Sequence, residues 1–147
     1  MGREIDVAVL QHPDGRVQAG PPLEIRVAGA GFFDYDAKYD GGAVFEIPAP
    51  LDAATTDVLQ DRAIRAFDAL DCRGLLRVDF FLAGEGAEPI VNEVNTFPGF
   101  TVASQFPQIW QRAGIGFPAL LDILIDSALA GAGQRSIGGL PRAVSVA

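Results

Sequence analysis

Two short β-rich runs, residues 75–82 and 88–95, flank the connector Ala83-Gly84-Glu85-Gly86-Ala87, and no other feature limits the fold of this chain so tightly. The glycines suit a hairpin connection. On a strand, residues two apart share a face, so Arg77 and Asp79 point one way while Val78, Phe80 and Leu82 point the other. The same alternation sets Glu93 and Asn95 against Val94 and Ile90. With the turn centred near Gly86, Asp79 falls opposite Glu93 and Arg77 opposite Asn95, which gathers two carboxylates, an amide and a guanidinium on one patch. That patch is hard, oxygen-rich and charged. Magnesium takes oxygen ligands at ~2.0–2.1 Å and usually only one or two carboxylates, its other positions going to water and phosphate, so Asp79, Glu93 and Asn95 suit it. Arg77 cannot share a metal but can steady a phosphate oxygen as charge develops. Acids on adjacent strands are more often a plain solvated face, and the next segment weighs against that here. Thr96-Phe97-Pro98-Gly99-Phe100-Thr101 carries the chain from the second strand through a Pro-Gly turn towards Ser104, and glycine lets the backbone of such a turn aim amide groups at an oxyanion.

The rest of the chain supplies a frame for this hairpin. A strand over residues 5–10 ends at His12-Pro13-Asp14-Gly15, where Pro sets φ and Gly permits a positive one, and residues 23–27 pair with it. Residues 28–42 hold glycines and a cluster of aromatic and charged side chains, a composition for a structured surface loop rather than a linker. A strand resumes at 43–48. Asp52 caps a helix running to about Leu70, with Leu59, Ala63, Ala66, Phe67 and Leu70 on its apolar face. Prolines at first helical positions predict helices over 107–113 and 118–130, followed by a loose tail over 131–147. The expected class is α+β, a mostly antiparallel sheet flanked by helices.

Size and charge narrow the function. The chain has 147 residues, 49% of them hydrophobic, enough to bury one domain core. A net charge of −8 excludes the basic footprint of a nucleic-acid or anionic-membrane binder, so a bound phosphate would come with a metal ion. The single cysteine, Cys72, cannot form an internal disulfide, and the start Met1-Gly2-Arg3-Glu4 lacks the apolar stretch of a secretory signal, so a reducing cytoplasm is expected. No apolar run is long enough to span a bilayer. Gly29-Ala30-Gly31 fails as a dinucleotide fingerprint because Asp34 stands where its third glycine belongs.

Arg77-Val78-Asp79-Phe80-Phe81 followed by Asn92-Glu93-Val94-Asn95-Thr96-Phe97-Pro98-Gly99-Phe100-Thr101 resembles the terminal signature of D-alanine:D-alanine ligases of the ATP-grasp superfamily. The resemblance extends upstream to Phe33-Asp34-Tyr35-Asp36-Ala37-Lys38-Tyr39, similar to the family's mobile loop, and downstream through Ala113-Gly114-Ile115. It implies an ATP-grasp carboxy-terminal catalytic subdomain over residues 1–130, with residues 28–42 as a lid. Asp79, Glu93 and Asn95 would bind two magnesium ions bridging the ATP phosphates, manganese being able to substitute. Arg77 would neutralise the transferring phosphoryl group and, with the backbone of Gly99, the later oxyanion. Ser104 matches the position that holds the carboxylate of the second D-alanine. Lys38 matches a loop lysine on the γ-phosphate, Tyr39 a loop tyrosine closing over the second substrate, and Glu4 a contact to the ATP ribose. Enzymes of this family are roughly twice as long, so an amino-terminal portion is an implied partner, as is a homodimer of the full-length enzyme.

Two other functions stay open on the sequence: a nucleotide-binding or regulatory module without catalysis, and an ATP-grasp ligase with a different acceptor. Intact Arg77, Asp79, Glu93 and Asn95 count against the first. The Ala37-Lys38-Tyr39 loop counts against the second, because it resembles the dipeptide-forming enzymes.

Overall fold

The computed structural model describes residues 2–27, 43–84 and 86–135. Its elements in chain order are strands β1 (Arg3–Gln11), β2 (Val17–Ala19), β3 (Leu23–Val27) and β4 (Ala43–Glu46), helix α1 (Ala53–Ala69), strands β5 (Leu75–Leu82) and β6 (Ile90–Asn95), and helices α2 (Gln105–Arg112) and α3 (Phe117–Arg135). The strands form one sheet in the order β4-β3-β1-β5-β6, with β2 pairing to β1, and every pairing is antiparallel. The α+β class expected from the sequence is the class observed. Among the described residues no single helix is long and apolar enough to cross a membrane.

β1 is central because both its sides are apolar. Ile5, Val7 and Val9 join Leu76, Val78, Phe80 and Leu82 of β5 in a core closed by Leu59, Ala63 and Phe67 of α1. Ala8 and Leu10 turn to the opposite face, where Leu23 of β3 meets Phe106, Ile109 and Trp110 of α2 and Leu120 of α3. A strand covered on both faces reads as a nearly continuous apolar run, which is why residues 5–10 announce themselves so clearly. Each fully buried aliphatic side chain in these two cores contributes roughly 1.5–3 kcal/mol.

Several boundaries differ from expectation for local reasons. β2, which the sequence does not announce, is three residues long and follows the tight turn at Gly15, whose φ of +86° is the one the sequence anticipates. Asp52 does cap α1, its Oδ1 accepting from the Thr55 amide at 2.8 Å. Leu70, however, is the C-cap and stands exposed, since Asp71 at φ 47° turns the chain away. α2 begins at Gln105 rather than Pro107; the proline sits in the first turn, where its missing N–H breaks no bond. α3 begins at Phe117 and runs to Arg135, past the expected end at Ala130. The anticipated lid, with Lys38 and Tyr39, lies outside the described residues, as does the tail beyond Arg135.

Candidate active site

The β5–β6 hairpin has the register read from the sequence: Asp79 pairs with Glu93 and Arg77 with Asn95. One detail differs. A bulge after Asp79 lets Phe80 pair with Val91 and Phe81 with Ile90, leaving Asn92 as the extra residue. One inserted residue flips the alternation beyond it, so Ile90 shares the face of Phe81 and Asp79 instead of that of Val94. Glu88, expected to open the strand, instead forms an ion pair with Arg62 of α1.

Arg77 and Asp79 form the centre of the patch. Arg77 donates from Nε to Asp79 Oδ1 at 2.7 Å and from Nη2 to Oδ2 at 2.8 Å, a two-point fork. Asn95 Nδ2 donates to the same Oδ2 at 3.1 Å. The third edge of the guanidinium reaches α2, Nη1 donating to Gln105 Oε1 at 2.5 Å. Asp79 is buried, Asn95 half-buried and Glu93 exposed, so the patch grades from interior to solvent along β6. Burial works against the charge of Arg77, yet the hydrogen bonds to Asp79 and the charges of Asp6, Asp79 and Glu93 outweigh it and raise its pKa above the ordinary arginine value. The guanidinium is a fixed cation.

The Ser104 end of α2 lies beside it. Ser104 is the N-cap residue of α2 but makes no side-chain cap; its Oγ instead accepts from the Thr101 amide at 3.0 Å and meets Thr101 Oγ1 at 2.9 Å. A Cβ on Gly99 would come within 3.1 Å of that Oγ, so the lack of a side chain at Gly99 is what lets the 96–101 segment lie against Ser104. Phe100 stacks obliquely on Phe106 and Phe117, centroids 5.8 and 5.7 Å away, which ties the segment to both helices.

A family model described as the D-ala D-ala ligase C-terminus matches residues 1–126. The chain belongs to that ligase family. It is similar to the D-alanine–D-alanine ligase of Mycolicibacterium vanbaalenii, 48% identical over 91% of this chain and 38% of the relative. The Mycolicibacterium smegmatis ligase is 45% identical over 92% and 38%. Among solved structures, the D-alanine–D-alanine ligase of Coxiella burnetii matches with a TM-score of 0.73 at 36% identity, over 92% of this chain and 35% of that one. The VanG D-Ala:D-Ser ligase of Enterococcus faecalis matches with a TM-score of 0.70 at 37% identity, over 85% and 36%. A Bacillus anthracis ligase complexed with ATP matches with a TM-score of 0.73 at 28% identity, over 92% and 40%. The chain thus spans less than half the length of these relatives.

Of the residues that the ligase resemblance singles out, the structure gathers Arg77, Asp79, Glu93, Asn95, Gly99 and Ser104 along one side of the sheet and the adjoining loop. Glu4 is on the same face but further along, opposite Phe81 and Ile25. Among the described residues no three His, Cys, Asp or Glu side chains converge as a metal centre, so the hard-oxygen set is two carboxylates and an amide. Sequence reasoning missed two residues. It assigns no role to Gln105, or to Asp6, which is fully buried and directly opposite Asp79. The signal for Asp6 was an acid one residue into the otherwise apolar run 5–10.

Proposed function

We propose that this chain is the carboxy-terminal catalytic part of an ATP- and magnesium-dependent ligase that joins two D-alanines for a peptidoglycan precursor. The observation that carries this reading is the Arg77–Asp79 fork, flanked by Glu93 and Asn95 and linked through Gln105 to the Ser104 end of α2. The donor set fits magnesium: all hard oxygens, no more than two carboxylates, and an exposed Glu93 that leaves room for phosphate and water. Asp79, Glu93 and Asn95 would hold it, and when bound, two magnesium or manganese ions supply the positive charge that phosphate oxygens need.

The chain's own residues divide the remaining work. A carboxylate oxygen of the first D-alanine attacks the γ-phosphorus and ADP leaves, giving an acyl phosphate; Arg77, a fixed cation, offsets charge on the transferring group. The amine of the second D-alanine, having lost a proton, then attacks the acyl carbon, and inorganic phosphate departs as the peptide bond forms. The backbone of Gly99 and Arg77 stabilise the oxyanion between those events, and Ser104 orients the carboxylate of the second substrate. Glu4 contacts the ribose. Lys38 on the γ-phosphate and Tyr39 over the acceptor would close the site, since water must be kept from an acyl phosphate.

Calorimetry on a full-length version of the ligase tests the reading. Asp79→Ala and Glu93→Ala should each weaken binding of a magnesium–ATP analogue by at least about 10-fold, since even partners one step removed from a metal account for about 10–100-fold. Unchanged affinity and turnover in both would sink it. The match to a D-Ala:D-Ser ligase favours one second reading, a hydroxyl-bearing acceptor. Product analysis with D-alanine and D-serine in competition separates the two.

A further inference from the structure

We propose that Asp6 is a positioning residue for Arg77, and that together with Gln105 it holds the guanidinium in place when Asp79 is engaged by a cation. The inference rests on the roles of Arg77 and Asp79 proposed above. β1 is the most enclosed strand of the sheet, and Asp6 is its only acid with no exposure at all. A carboxylate in such a place is costly unless a charge compensates it. Register puts Asp6 directly across from Asp79, and Arg77 Nε lies 3.6 Å from Asp6 Oδ2 while donating to Asp79 at 2.7 Å. Nε therefore sits between two carboxylates, one deep and one nearer the surface.

The geometry of Asp79 gives this a purpose. Its two oxygens already accept three hydrogen bonds, two from the arginine fork and one from Asn95, of the roughly four a carboxylate has room for. A cation at Asp79 therefore competes with the fork for the carboxylate charge and loosens it. The guanidinium then keeps Asp6 along one edge and the Gln105 carbonyl oxygen, 2.5 Å from Nη1, along another. Asp6 is too deeply buried to touch a ligand, so its part in the reaction runs through Arg77. Gln105 opens α2 next to Ser104, and its bond to Arg77 fixes the distance between the phosphate end of the site and the acceptor end.

The test is a double-mutant cycle in a full-length version of the ligase. Asp6→Asn keeps the side-chain size and removes the charge. It should lower kcat about 10-fold or more with KM for D-alanine changed by less than about 3-fold, the mark of an interaction used in the transition state. In an Arg77→Ala background the same change should alter kcat by less than about 2-fold, because the side chain that Asp6 serves is gone. Equal factors in both backgrounds would overturn the proposal and leave Asp6 to strand packing. Wild-type turnover in Arg77→Ala alone would remove the site reading itself, and the clamp with it. Should Asp6→Asn fail to fold, Gln105→Leu is put through the same cycle, and additivity there overturns the clamp. A second readout needs no turnover. In nitrogen-15 spectra of the 147-residue chain, the Arg77 Nε–H signal should stay resolved on adding magnesium to the unaltered chain and merge with the solvent-averaged arginines in Asp6→Asn. Identical behaviour in the two would contradict it.

Discussion

At the scale of single residues, Asp79 and Glu93 are chemically alike and physically different. Asp79 is buried and accepts three hydrogen bonds, so Asp79→Asn takes the nearest charge from a guanidinium whose side chain is only 15% exposed and leaves it Asp6 and Gln105. Breaking a buried pair from one side costs about 3–5 kcal/mol, and the remaining Asp6 contact keeps this loss below that ceiling. Glu93→Gln, on the exposed end of the same patch, should stay within about 0.5 kcal/mol. Urea unfolding of the 147-residue chain measures both; equal losses would mean that Asp79 is not the structural partner described. Gly99 makes a second contrast. Gly99→Ala brings a methyl to 3.1 Å from Ser104 Oγ, so one of the two must give by a few tenths of an ångström. Steady-state kinetics of a full-length version should show KM for the second D-alanine rising more than kcat falls, because the proposed role of Ser104 is in binding rather than phosphoryl transfer. A loss confined to kcat would separate Ser104 from the acceptor.

At the scale of elements, the far end of the sheet is held by charge. Arg3 forks onto Glu24 at 2.8 Å from both nitrogens, and Arg26 bridges Glu24 at 3.3 Å and Glu46 at 2.6 Å, which pins β1, β3 and β4 together. The hydrogen bond from Arg3 holds the Glu24 carboxyl below the ordinary glutamate value, with the charges of Arg3 and Arg26 adding to it against the opposing effect of burial. A carboxylate with a lowered folded pKa binds fewer protons folded than unfolded. Its stabilisation is complete above the ordinary value of about 4.3 and disappears as pH falls through the lowered one. Unfolding free energy should therefore drop on acidification below about pH 4, and Glu24→Gln should flatten that drop while lowering stability at neutral pH. An unchanged acid slope in the variant would dismiss the network. Elements were legible in the sequence where a strong period met a strong stop: the run ending at Pro13-Asp14-Gly15, the Asp52 cap, the paired alternation of β5 and β6. They were not legible where tertiary contact decides. A three-residue β2 has too few positions to show a period. The bulge at Asn92 carries no residue that demands it, so the face of Ile90 was assigned by alternation and came out reversed. Asp6 was visible as an acid in an apolar run, but its partner was not legible, because the pairing with β5 that sets it beside Arg77 is a tertiary contact.

At the scale of the whole molecule, the sheet is covered on both faces at its middle, and the candidate site lies where the cover on the second face runs out. The helices bury the middle of the second face and leave the Glu93 end to solvent. Two surface clefts of about 430 and 550 Å³ lie elsewhere, one between the His12–Gly15 turn, Gly74 and α3, the other around Pro21, Pro48 and Gln60. Neither includes Arg77, Asp79, Glu93 or Asn95. On the proposed reading, the described residues offer ATP one wall, made of the proposed metal ligands and a fixed cation. The ligases this chain resembles are far longer, the chain spanning 38% of the vanbaalenii enzyme. Catalysis by approximation depends on holding both reactants in a near-attack arrangement, and loss of one wall forfeits an effective molarity that reaches about 10⁵ M or more. The 147-residue chain on its own should accordingly release no measurable phosphate from ATP, magnesium and D-alanine, and a separately expressed amino-terminal portion should restore release in proportion to the complex formed. Steady turnover by the isolated chain would overturn the need for an amino-terminal portion.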